Sequence, residues 1–125
     1  MKVTSYLPIL NGLFTLFCTP QNVIAAVSAG ELKALTDIYS TMGGVGWKNV
    51  TNWGSGDPCS QGWAGVVCTG TSVTSLNSDD NGLTGSFPNS FSGLQNLTKL
   101  SASGNSITGN LKSFLSILPT SVKYL

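Results

Sequence analysis

From Gly30 to Met42 the chain reads GELKALTDIYSTM. Leu32, Leu35, Ile38, Tyr39 and Met42 recur at the three- and four-residue spacing that lines one face of an α-helix, while Lys33, Thr36, Asp37 and Ser40 fall mainly elsewhere. The spacing predicts a helix over 30–42. Ser28 followed by Glu31 has the form of a capping box at its start. Gly43-Gly44 stops it, because glycine takes up the left-handed backbone a helix end needs. Between Trp47 and Trp63 the periodicity disappears. WKNVTNWGSGDPCSQGW is a loop rich in Gly, Asn and Ser, yet its three tryptophans need an apolar surface to cover.

From Val73 the pattern repeats. VTSLNSDDNGLTGSFPNSFSGLQN (73–96) aligns with LTKLSASGNSITGNLKSFLSILPT (97–120) at an offset of 24 residues, as in Thr74 to Thr98. Thr74/Thr98, Leu76/Leu100, Asn81/Asn105, Thr84/Thr108, Gly85/Gly109, Ser92/Ser116 and Leu94/Leu118 are identical. Val73/Leu97, Leu83/Ile107, Phe87/Leu111 and Phe91/Leu115 exchange one apolar residue for another. A third unit starts at Val122-Lys123-Tyr124-Leu125, shifted by one residue after Pro119. A period of about 20–29 residues with this spacing marks a leucine-rich repeat. Each unit is expected to give a short strand, an Asn-bearing turn and a looser return path. Leu76 and Leu100 then point inward, and Leu83, Phe87, Ile107 and Leu111 fill the interior. Asn81 and Asn105 bond the backbone of adjacent coils, whose buried polar groups need partners.

The start of the chain looks like an export signal. Lys2 precedes an apolar stretch, LPILNGLFTLFC (7–18), and then the small residues Ala25-Ala26-Val27-Ser28-Ala29. Cleavage after Ala29 fits the small-x-small rule, with Ala25 and Ala26 as alternatives; the Ser28 cap survives only an earlier cut. The apolar run is too short to span a bilayer comfortably. Removal of Cys18 with the signal leaves Cys59 and Cys68 as a pair, and exported pairs usually oxidise. The chain has no histidine and no further mature cysteine to complete a zinc site, and the spacing is too long for a Cys-x-x-Cys redox motif. A structural disulfide is the expectation. The sequons Asn49-Val50-Thr51 and Asn96-Leu97-Thr98 are glycosylation candidates in an exported chain.

Charge narrows the classes further. Only 9% of the residues are charged and the net charge is +1, with all six basic residues lysine. Neither nucleic acid nor an anionic membrane is favoured as a partner. Catalysis has little to work with: there is no histidine base, no Gly-x-Ser-x-Gly elbow and no phosphate loop after Gly43-Gly44-Val45-Gly46. No metal and no cofactor is expected, and this chain is expected not to be an enzyme.

The repeat units resemble the 24-residue plant-type leucine-rich repeat, LxxLxLxxNxLxGxIPxxLxxL. Leu83-Thr84-Gly85-Ser86-Phe87-Pro88 matches its LxGxIP segment. The preceding region resembles the amino-terminal cap of extracellular repeat proteins, through Asn52-Trp53, Pro58-Cys59, Trp63, Gly65-Val66 and Cys68. The resemblance covers about residues 30–125. Ser78 and Ala102 stand where the family usually has Leu, and Lys112 replaces the Pro of the second unit. The resemblance implies an α/β fold: a leucine-rich-repeat solenoid of short parallel strands behind a helical, disulfide-pinned cap. The expected organisation is a signal over 1–29, the cap over 30–72, and repeats over 73–125, two full and a third truncated.

The implied role is extracellular recognition of a protein, peptide or glycan, as in receptor-like kinases and proteins. The alternatives are a secreted inhibitor of cell-wall-degrading enzymes, like the polygalacturonase-inhibitor-like proteins, or a structural extracellular protein without a specific ligand. The location is secreted, or the outer side of the plasma membrane where the chain continues, and a kinase domain beyond it is compatible. Strand alternation puts Ser75, Asn77 and Asp79, then Lys99, Ser101 and Ser103, on the concave face where solenoids commonly bind. The open edge at the carboxyl end invites self-association.

Overall fold

Ser28 starts the first helix. In the computed structural model, which describes residues 26–125, α1 spans Ala29–Thr41. The Ser28 hydroxyl accepts from the Glu31 N–H at 3.2 Å, and the Glu31 carboxylate accepts in return from the Ser28 N–H and hydroxyl. Gly43, at φ 74°, ends the helix. The expected signal up to residue 25 lies outside the described residues. The buried face of α1 differs from the predicted stripe. Leu35, Ile38 and Met42 are fully buried, but Leu32 is exposed while Ala34 and Glu31 go inside. Glu31 tolerates burial because its second oxygen accepts the Val73 N–H at 2.8 Å, so the carboxylate is met on both sides by donors. That bond ties the helix cap to the first repeat strand.

Four short strands and one antiparallel edge strand follow. β1 (Val66–Thr69) pairs antiparallel with β2 (Ser72–Asn77), with a register shift between Val67 and Cys68. β2 pairs parallel with β4 (Lys99–Ser101), Ser75 opposite Lys99 and Leu76 opposite Leu100. A second parallel pair joins β3 (Thr84–Gly85) to β5 (Ser106–Ile107). The chain is thus a mixed helix-and-strand fold with parallel strands in the register the sequence repeat predicts. An isolated parallel bridge from Lys99 to Tyr124 begins another layer. Tyr124 takes this place only with the one-residue shift after Pro119.

Between the strands, the two return paths are not alike. After Pro88 the first is a 3-10 turn over Asn89–Gly93. In the second, Lys112 stands where the first has Pro88, and Asn110 caps a true helix, α2 (Leu111–Ile117), by accepting from the Ser113 N–H at 2.8 Å. The helix turns Leu111 outward, 68% exposed, so the expected interior position is corrected: Phe114 packs on the core instead. Phe87, Phe91 and Phe114 form one aromatic group.

The turns are held by asparagine. The Asn105 side-chain oxygen accepts the N–H groups of Asn81, Gly82 and Leu83 at 2.8–3.0 Å. Its amide donates to the carbonyls of Ser78, Ala102 and Ser103. Asn81 does the same one layer earlier, accepting from the Asn49 N–H at 2.7 Å and donating to its carbonyl at 3.2 Å. We predict that Asn105→Ala lowers stability by about 2–4 kcal/mol, since several backbone groups lose their only partner. Asn81→Ala, with two bonds instead of six, costs less. Urea melts of both variants check the order.

Candidate binding face

The stretch around the two cysteines forms the frame of the site. Cys59 and Cys68 are disulfide-bonded, with Cα atoms 5.6 Å apart, and both pack on the core. Cys68 belongs to β1, so the bridge fastens the loop to the sheet edge. Gly65, at φ 81°, lies so close to the Asn77 carbonyl that no side chain fits there. Its own carbonyl accepts the Asn77 N–H at 2.8 Å. Trp47 and Trp63 are buried and Trp53 half-buried; Trp53 meets Trp47 edge-on, tilts against Trp63 and stacks on Tyr39, which meets Trp47 edge-on. Their indole N–H groups donate to the carbonyls of Met42, Ala64 and Ser55. The tryptophans therefore cover the first layer, as the loop composition predicts.

On the strand ladder, the six sequence-predicted face residues fall into two groups. Asp79, Ser101 and Ser103 are brought together. The Ser101 hydroxyl donates to both Asp79 oxygens at 2.8 Å, and the Ser103 N–H and hydroxyl donate to one of them at 2.7 and 3.0 Å. Asn77 accepts the Asp79 N–H at 3.0 Å. Asp79 is thereby a tie between successive turns rather than a free carboxylate. Its pKa lies below the ordinary value, first because of the Ser101 hydroxyl and then the Ser103 N–H.

Ser75 and Lys99 form the second group. They lie in one cross-strand row, Val67–Ser75–Lys99–Tyr124, set by the pairing partners. Lys99 is exposed, and among the described residues the one ion pair is Lys33–Asp37 on α1. Sequence reasoning missed the ends of the row. Val67 is 57% and Tyr124 65% exposed, large apolar surfaces at the two ends of the row, with Tyr124 next to Lys99 and Ser75 between Lys99 and Val67. The alternation of half-buried Val66, exposed Val67 and half-buried Cys68 is the signal for the first, and the shifted third unit for the second.

Both sequons reach solvent. Asn49 is exposed, and its side-chain oxygen accepts from the Thr51 N–H and hydroxyl at 3.1 and 2.8 Å. Asn96 is exposed and its amide donates to the Ser72 hydroxyl at 3.1 Å. At the far end of the ladder an apolar groove of about 610 Å³ opens among Phe87, Leu100, Ala102, Ile107, Phe114 and Leu125.

No family model matches the chain. It is 37% identical over 109 residues to the receptor protein kinase WSS1 of Oryza sativa subsp. japonica, covering 86% of this chain and 11% of that protein. It is 33% identical over 85 residues to STRUBBELIG-RECEPTOR FAMILY 2 of Arabidopsis thaliana, covering 65% of the chain and 11% of that protein. With the LRR receptor-like serine/threonine-protein kinase GSO2 of Arabidopsis thaliana it shares 36% identity over 74 residues, 59% of the chain and 6% of that protein. The chain is homologous to plant leucine-rich-repeat receptor-like kinases. It spans about a tenth or less of the length of these curated relatives. The shared region is receptor-like and extracellular in kind, and the kinase activity in the relatives' names is a property of those proteins. Among the described residues no helix is long and apolar enough to cross a membrane.

Three aspartates give the fold an acid limit. Asp37 is lowered chiefly by the Ser90 hydroxyl and then by Lys33, Asp57 by the Val27 N–H, and Asp79 by Ser101. A folded pKa below the unfolded value of about 3.9 contributes stability that is complete above that value and is lost as pH falls through the folded one. We expect the melting midpoint to be flat above about pH 5 and to fall below about pH 4. Asp79→Asn makes the acid fall shallower, which a series of thermal melts across that range reads directly.

Proposed function

We propose that this chain is the capped amino-terminal portion of an extracellular leucine-rich-repeat solenoid, and that it works as a recognition module. In this reading the export signal lies within 1–29, with its cleavage site between residues 25 and 29, followed by the cap to residue 72 and the repeats over 73–125, two full and one begun. The product is secreted, or lies on the outer side of the plasma membrane where the chain continues. Asn49 and Asn96 accept glycans. The ligand is an extracellular protein, peptide or glycan that lies across the row Val67–Ser75–Lys99–Tyr124, with Asn77 beside it.

The observation that supports this reading is the row itself. A polar strand face sets an exposed cation in a row that ends in two exposed apolar side chains, beside the Asp79 tie. Such a surface offers an extended ligand one charged and two apolar contacts without any rearrangement. The names of the relatives, which are receptors, point the same way.

Immobilised chain exposed to an extracellular extract tests it. Lys99→Glu is expected to weaken capture of specific partners about tenfold or more, the effect of one charged contact of roughly 1.4 kcal/mol. Lys112→Glu on α2 leaves capture unchanged. Equal capture by all three forms, or retention by bulk wall material alone, would sink the reading in favour of a structural protein.

The apolar groove leads to a second expectation. Leu111 and Leu125 are 68% and 71% exposed beside it, and the ladder edge at Tyr124 is a single bridge. An exposed apolar surface of this kind favours self-association. Sedimentation velocity is expected to show concentration-dependent association, which Leu111→Asp weakens. A monomer at all concentrations with a sharp reversible melt would contradict it.

A further inference from the structure

The residues just before α1 are built into the cap. The Val27 N–H donates to Asp57 Oδ1 at 2.8 Å across 30 residues of sequence. Asp57 Oδ2 meanwhile accepts the N–H groups of Cys59 and Ser60 at 3.0 and 2.9 Å. One carboxylate oxygen thus holds its own turn and the other holds the incoming chain. The turn is fixed in place by buried Pro58 and by the disulfide from Cys59. The Val27 side chain packs against the core as well. One residue on, Ser28 donates to Glu31, whose other oxygen reaches β2 at Val73. Ala26, by contrast, is exposed.

We propose that the mature protein keeps Val27 as its first or second residue, with its backbone nitrogen seated on Asp57. This rests on the export-signal reading above and narrows it: the processing site is the bond after Ala25 or after Ala26, not the bond after Ala29. The step is hydrolysis by a signal peptidase. Water adds across the peptide bond, leaving a carboxylate on the departing signal and an amine on the mature chain, which protonates. The small residues there permit the cut. At Val27 the new ammonium faces a carboxylate and makes a charge-assisted hydrogen bond. At Gly30 it would instead lie in the first turn of α1, where the helix dipole is already positive. Glu31, only 4% exposed, would also lose both donors that Ser28 supplies.

The test is amino-terminal sequencing with intact mass on the deglycosylated endogenous product. A start at Ala26 or Val27 is expected. A start at Ser28, Ala29 or Gly30 overturns the proposal and leaves the export signal standing. A product retaining Met1 overturns the export signal and this proposal together. A second measurement reads the seat itself. In the mature form Asp57→Asn is expected to lower the melting midpoint by about 4–8 °C, as a loss of ordinary size does in a domain this small. The same substitution in a chain begun at Gly30 lowers it less, because the Val27 contact is already gone. Equal losses in the two backgrounds would show that Asp57 serves only its own turn.

Discussion

Backbone groups inside a turn must be bonded, and here one side chain does that for two layers at once. Asn105 accepts three N–H groups from the layer before it and donates to carbonyls of both layers. Without it, the turn after β2 would bury donors with no partner, a cost of about 1–3 kcal/mol for each buried group. The parallel register depends on this bond set. Leu76 and Leu100 come opposite each other, and the apolar interior closes around Leu83, Leu94 and Leu97, because Asn81 and Asn105 stack at the same spacing. Asn81 extends the line to the Asn49 backbone, so the cap loop is held by the same device as the repeats.

A stack of this kind exposes a raw end, and the amino-terminal end is covered three ways. β1 lies antiparallel on the edge of β2 and satisfies its outward groups. The three tryptophans and Tyr39 fill the space above the first layer, each indole N–H with a carbonyl partner. Glu31 then joins the helix to β2 with a buried carboxylate that is bonded on both sides. The disulfide adds a fixed point between the loop and β1. At the other end of the described residues lie the Lys99–Tyr124 bridge and an apolar groove.

Along the strands, scaffold and face are separate. Polar residues that look alike along the strands have different work. Asp79 is consumed by two serines and a backbone N–H, which ties successive turns together. Lys99 is exposed, with Ser75 and Tyr124 as its cross-strand neighbours. A receptor-like role fits a surface whose fixed elements lie beside, rather than within, the exposed row.

Much of this was legible from the chain. The Ser28–Glu31 box, the Gly43 stop, the 24-residue register, the asparagine turns and the disulfide all follow from local spacing, because each depends on residues at a fixed offset whose bonding needs have few solutions. The one-residue shift that places Tyr124 opposite Lys99 was legible for the same reason. Other features were not. Helical periodicity placed Leu32 inside and left Glu31 out, yet Val73, 42 residues away, supplies the donor that draws the carboxylate in. Leu111 aligned with Phe87, but it opens α2 behind the Asn110 cap and is turned outward there. Ser75, Asn77 and Asp79 alternated alike, and only the arrival of Ser101 and Ser103 from the next layer made Asp79 a tie. The sequence by itself determined which elements form and how they repeat, since those are short-range choices of backbone and spacing. The tertiary structure decided which polar groups are used up and which stay open, because a hydrogen-bond partner from another layer has no signature in the local pattern.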